Sequence, residues 1–122
     1  MPMGSVGKKT RVLVVDDEPD VRSFVRTVLV RQGYEVLEAE DGLAAYELVE
    51  RLSGEIELLV TDVKMPRMDG ITLGQKVSTG YPEIGVLYIS AYISEAPGRG
   101  RRFLPKPFRP DALVDCIRSL SA

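Results

Sequence analysis

Asp16, Asp17, Asp62, Ser90 and Lys106 each stand directly after, or close behind, a short apolar run, and together they are the residues of this chain best suited to chemistry. Arg11-Val-Leu-Val-Val15 precedes the acid pair, Ile56 to Thr61 precedes Asp62, Ile84 to Ile89 precedes Ser90, and Arg102 to Leu104 leads to Lys106. Clustered carboxylates repel one another unless a cation offsets them. Acids, a hydroxyl and an ammonium drawn into one small pocket therefore call for a hard divalent ion with oxygen ligands, Mg2+ before all, with Mn2+ an able substitute. A carboxylate is also a competent nucleophile toward phosphorus once the charge of the transferring group is offset. Singly, each residue has an ordinary explanation: Asp16 or Asp17 caps the next helix, Asp62 ends a strand, Ser90 opens a turn, and Lys106 before Pro107 is loop. The conjunction at four strand ends is what points to a site.

The elements that must bring these positions together alternate along the chain. The run from Arg11 to Val15 is unbroken and rich in β-branched residues, as expected of a strand covered on both faces. Behind it Val21, Phe24, Val25, Val28, Leu29 and Gln32 recur at helical spacing, with Arg22 and Arg26 opposite and Gly33 as a stop. Tyr34 to Ala39 is a more polar strand suited to a sheet edge, and Asp41 to Leu52 a helix with Ala44, Ala45, Leu48, Val49 and Leu52 inward. Strands are predicted at Ile56 to Thr61, Ile84 to Ile89 and Arg102 to Leu104. Helices are predicted over Ile71 to Thr79, weakened by Gly74, and over Pro110 to Leu120, with Pro110 at its first position. Five strands alternating with helices imply a doubly wound parallel sheet, whose functional crevice lies at the carboxyl ends of the strands.

Composition narrows the function classes. The chain has 122 residues, 44% hydrophobic and 28% charged, which suits one globular domain. The first ten residues, small and polar with two Lys, read as a flexible leader or cloning remnant, leaving 11–122 as the domain. A formal net charge of −2 offers nothing to nucleic acid, and no apolar run approaches a membrane span. Acids dominate from Glu35 to Glu57 and bases from Arg99 to Arg109, blocks that are solvated faces or orient a partner. The absence of histidine excludes a Ser-His-Asp triad and an imidazole metal site. The single Cys116, on the apolar stripe of the last helix, fits a core position and a reducing compartment such as the cytoplasm.

With VLVVDDE at 12–18, VTDVKMPRMDG at 60–70, YISA at 88–91 and FLPKPF at 103–108, the chain resembles the receiver domain of two-component response regulators over about residues 11 to 121. The resemblance implies a flavodoxin-like sheet of order 2-1-3-4-5 and a carboxylate that takes a phosphoryl group from a histidine kinase or histidine phosphotransfer domain, in cis or in trans. It places the phospho-acceptor at Asp62 and Mg2+ on Asp16, Asp17, Asp62 and the backbone carbonyl of Lys64. Ser90 and Lys106 become the phosphoryl-contacting hydroxyl and ammonium, and Phe103 the aromatic that turns when Ser90 moves. Lys106-Pro107 matches a bond that is cis in the family.

One stretch departs from the pattern. Ser90 to Lys106 is shorter than receivers use, and Tyr92 to Gly100 holds two Gly and a Pro, so the helix expected between the fourth and fifth strands is predicted to be shortened or replaced by a loop. This removes a face on which many DNA-binding regulators dimerise, so a monomer or weak dimer is expected. The phrasing resembles receivers at the C-terminus of hybrid sensor kinases, whose parent chain is an enzyme although the isolated domain is not. Lys64 and Tyr92, each two positions from a site residue, are expected to flank the path of a hydrolytic water and tune phosphoryl lifetime. Two other readings stand beside this one. A pseudo-receiver would keep the fold without the chemistry. A Mg2+-dependent aspartyl-phosphate phosphatase would want a second acid where Lys64 stands.

Overall fold

The computed structural model describes residues 9–91 and 102–121. The segment in which a shortened helix is expected, and Tyr92 with it, lies outside these residues. The elements are β1 (Arg11–Val15), α1 (Pro19–Arg31), β2 (Glu35–Ala39), α2 (Gly42–Leu52), β3 (Leu58–Asp62), α3 (Gly70–Gly80), β4 (Gly85–Ser90), β5 (Arg102–Pro105) and α4 (Pro110–Ser121), with a 3₁₀ turn at Ser53–Glu55. The strands form one sheet in the order β2-β1-β3-β4-β5, and every neighbouring pair is parallel. This is the expected flavodoxin-like order. β3 starts two residues later than the apolar run suggests and includes Asp62 as its last residue. The carboxylate that sequence places just beyond the strand is therefore inside the hydrogen-bonded ladder, opposite Ile89.

Period-two alternation divides the core between the two faces of the sheet. Val12, Val14, Leu58, Val60, Leu87 and Ile89 point toward α1 and α4, where Val25, Leu29, Leu113 and Ile117 meet them. Leu13, Val15 and Leu59 point the other way, onto Ala45 and Val49 of α2 and Leu73 and Val77 of α3. Both layers are built from apolar side chains, and each fully buried Val, Leu or Ile stabilises the fold by about 1.5–3 kcal/mol. β3 is buried along its whole length, as a central strand covered on both faces must be. β2 carries exposed Glu35 and Glu38, charges that blunt an edge strand against further pairing.

Two expectations need correction or explanation. Phe24 belongs to the apolar stripe of α1 but is 41% exposed, since only Val25 and Leu29 reach the centre of that layer. Its ring instead lies against Phe108, with centroids 5.9 Å apart. Gly74 lowers the intrinsic helicity of α3, yet it is buried, and a methyl group there would collide with the hydroxyl end of Tyr88. Among the described residues Tyr88 is the bulkiest fully buried side chain, and the helix admits it by omitting a side chain. Cys116 is half-buried against the α1–α4 layer, and burial pushes its thiol pKa up, consistent with a packing role.

Substituting Gly74→Ala, which on an exposed helix surface would add up to about 1 kcal/mol, should here destabilise the protein by about 1–3 kcal/mol through overpacking. Denaturant unfolding measures this. The penalty should shrink when the same change is made in a Tyr88→Phe background, where the colliding hydroxyl is gone.

Candidate functional site

Each site residue is held by the end of the strand that delivers it. The amide of Asp16 donates to the carbonyl of Ala39 at 3.2 Å, which carries the β1–β2 pairing one residue past the strand. Asp16 is completely buried. Its Oδ1 accepts from the Glu18 amide at 2.9 Å, and its carbonyl accepts from Arg22 Nη1 at 2.7 Å, so both its backbone and its carboxylate are fixed. Asp62 is anchored on the same principle. The Val63 amide donates both to Ile89 O at 3.0 Å and to Asp62 Oδ1 at 2.8 Å, tying the carboxylate to the next strand.

Lys106 closes the arrangement from β5. Its amide donates to the carbonyl of Ser90 at 2.7 Å, joining the ends of β4 and β5. Its Nζ lies 3.1 Å from Asp16 Oδ2 and 3.2 Å from Asp62 Oδ2, with Glu18 Oε1 at 3.5 Å. The Lys106-Pro107 bond is cis. Asp16, Asp17 and Asp62 each offer a carboxylate oxygen within 4.8 Å of the others. Asp17 is exposed while Asp16 and Asp62 are buried, so the cluster opens to solvent on the Asp17 side. Ser90 is buried at the end of β4, and Phe103 is half-buried beside Tyr88 in the β4–β5 register. Lys64 is exposed in the loop behind Asp62.

Burial dominates the electrostatics. It pushes the carboxyl of Asp16 above the ordinary aspartate range, against the Glu18 amide and the Lys106 charge that pull it down. Asp62 is raised by burial and then by the Asp16 charge, again with Lys106 opposing. Burial would lower Lys106, but the two carboxylates outweigh it and its pKa rises. One ammonium thus only partly offsets two desolvated carboxylates and a third at the rim. That deficit of positive charge, with all-oxygen donors, suits a small hard cation such as Mg2+.

The structure brings Asp16, Asp17, Asp62 and Lys106 together, and it adds partners to which the sequence reading gives no role. Glu18 is a third acid within reach of Lys106, and Arg22 locks the carbonyl of Asp16. Glu18 follows the acid pair directly as the N-cap of α1, with Arg22 one turn further on, and that placement is the signal that could have singled them out. Asp69 caps α3, its carboxylate accepting from the Thr72 amide at 2.8 Å.

Comparison with known proteins bears on the same residues. Residues 12–118 match the family described as "Response regulator receiver domain". Among curated relatives, the sensor kinase CckA of Brucella abortus is 37% identical over 115 residues, covering 89% of this chain but 12% of that protein. The response regulator receiver protein CpdR of the same organism is 35% identical over 118 residues, 90% of this chain and 95% of CpdR. Among solved structures, the receiver domain from the hybrid histidine kinase CckA superposes with a TM-score of 0.80 at 41% identity, over 92% of this chain and 99% of that one. The chain therefore spans a small part of one relative and nearly all of another.

Removing the ammonium should expose the cost of the buried carboxylates. Lys106→Ala is expected to destabilise the protein at pH 7 by about 3 kcal/mol, the lower end for breaking a buried pair. The folded-state pKa values of Asp16 and Asp62 already lie above the ordinary 3.8, so the folded state binds more protons than the unfolded chain in the window above that value. The stability these groups contribute is therefore present below pH 3.8 and lost as pH rises through the raised folded values. Unfolding followed from pH 4 to pH 7 should accordingly show the variant losing stability more steeply than the parent.

Proposed function

The chain belongs to the response regulator receiver family, and from that premise we propose that Asp62 accepts a phosphoryl group from a phosphohistidine of a kinase or phosphotransfer partner. The observation that carries the reading is the ammonium of Lys106 lying within 3.2 Å of both Asp16 and Asp62, with Asp17 in the same carboxylate cluster. Asp16, Asp17, Asp62 and the backbone carbonyl of Lys64 are the groups that would hold Mg2+. When bound, the ion supplies the positive charge that offsets the phosphoryl oxygens.

The chain's own residues supply the rest. An oxygen of Asp62 forms a bond to phosphorus as the bond from phosphorus to the imidazole nitrogen breaks, and the nitrogen keeps the electron pair. The product is an acyl phosphate on Asp62. Asp62 cannot swing away from the attack line, because the Val63 amide holds Oδ1 and Lys106 faces Oδ2. Lys106 stands where it follows the negative charge from the carboxylate to the phosphoryl oxygens, a role of alignment and electrostatics. Ser90, at the end of the neighbouring strand, supplies a hydroxyl to that group, and its inward movement would release Phe103 to turn. The link from Ser90 to Phe103 runs through β4 and β5, which are joined by the bond from the Lys106 amide to the Ser90 carbonyl.

The similarity to CckA supports a place beside a histidine kinase, either in one chain with it or as a separate relay partner. No helix among the described residues is long and apolar enough to cross a membrane. Incubation with acetyl phosphate and Mg2+ followed by intact mass measurement tests the central assignment. The parent chain should gain the mass of one phosphoryl group, and Asp62→Ala should gain none. No gain in the parent would favour a pseudo-receiver, and an equal gain in Asp62→Ala would move the acceptor elsewhere.

A further inference from the structure

The loop between Asp62 and α3 is pinned at both ends. At its base the Gly70 amide donates to the Val63 carbonyl at 2.7 Å, and Gly70 sits so close to the Asp62 carbonyl that a methyl group would collide with it. At its tip Arg67 adopts φ 73°, the one non-glycine with positive φ among the described residues. Such a conformation is unfavourable for an L-residue and persists only where neighbours impose it. The neighbour here is the start of α2. Arg67 Nε lies 3.4 Å from Asp41 Oδ2, and the other oxygen of Asp41 accepts from the Ala44 amide at 2.8 Å. Beside this pair, Gly42 leaves no room for a methyl group against the Met68 carbonyl. One buried carboxylate thus caps α2 and anchors the loop that carries Lys64.

We propose that Asp41 and Arg67 form a strap that holds the β3–α3 loop in its cation-binding conformation, making both positioning residues for Mg2+ without touching it. The inference rests on the reading of Asp16, Asp17, Asp62 and the Lys64 carbonyl as the metal site. Charge separates the strap from a simple field effect. Arg67 is positive, so its removal should tighten cation binding if only long-range electrostatics acts, and loosen it if the loop loses its anchor.

Calorimetric titration of Mg2+ into the full chain decides between these. Arg67→Ala and Asp41→Asn, which keeps an oxygen to cap α2, should each weaken Mg2+ by about fivefold, below the range for groups that contact a metal ligand directly. The double variant should be no weaker than either single one, because both break the same link. Arg67→Lys, which keeps a cation near Asp41, should lie within about twofold of the parent, and Arg67→Gly, which removes the backbone conflict but not the need for an anchor, should still be weakened. Arg67 is exposed, so its variants should fold, and circular dichroism checks this. Binding by Arg67→Ala or Asp41→Asn as tight as the parent's, or losses that multiply in the double variant, overturns the strap alone. A parent chain that takes up no Mg2+ overturns the strap together with the site reading beneath it.

Discussion

Two carboxylates buried at the ends of adjacent strands share one ammonium, and the rest of the structure is arranged around keeping them there. Asp16 is fully buried, and Asp62 nearly so. Separated from water, each would give up its charge before tolerating the other, and burial does push both pKa values up. Lys106 restrains that tendency from the end of the edge strand β5. The order β2-β1-β3-β4-β5 is what makes the meeting possible, since it sets β1 beside β3 and leaves only β4 between β3 and β5. Sequence separation is large, 90 positions from Asp16 to Lys106, so the contact exists only in the folded sheet.

The incomplete neutralisation is functionally apt. A site whose carboxylates were fully matched by protein cations would have no use for a metal ion and little tolerance for an incoming phosphoryl group. This site retains a deficit of positive charge, and it opens through Asp17. Rigid backbone bonds, from Glu18 to Asp16 and from Val63 to Asp62, keep the oxygens in place while the charge around them changes. Preorganisation of this kind lets a small domain contribute to phosphoryl transfer largely through alignment.

Much of this was legible in the sequence, for a definable reason. Val12 to Val15 and Leu58 to Val60 are apolar on both faces, which marks central parallel strands, and polar residues at their carboxyl ends mark the crevice. Features set by three-dimensional neighbours were not legible. Phe24 fits the stripe of α1 by spacing, but it stays 41% exposed with its ring against Phe108, a neighbour 84 positions away that spacing cannot announce. Gly74 looks like a defect until Tyr88 is placed against it. Asp41 and Arg67 are 26 positions apart, and neither belongs to a motif that announces the other. Helix starts shifted by a residue or two because caps, not apolar spacing, fix them, as Asp69 does for α3.

The central claim is that Asp62, the metal-binding acids and Lys106 act as one unit poised for a phosphoryl group. Fluorine NMR of the protein with beryllofluoride, a phosphoryl mimic that needs a carboxylate oxygen, reads that unit directly. The account predicts a protein-bound fluorine signal that appears only with Mg2+, disappears in Asp62→Ala and is strongly weakened in Lys106→Ala. A bound signal that persists without Mg2+ or without Asp62, or no bound signal in the parent chain at saturating reagent, would contradict it.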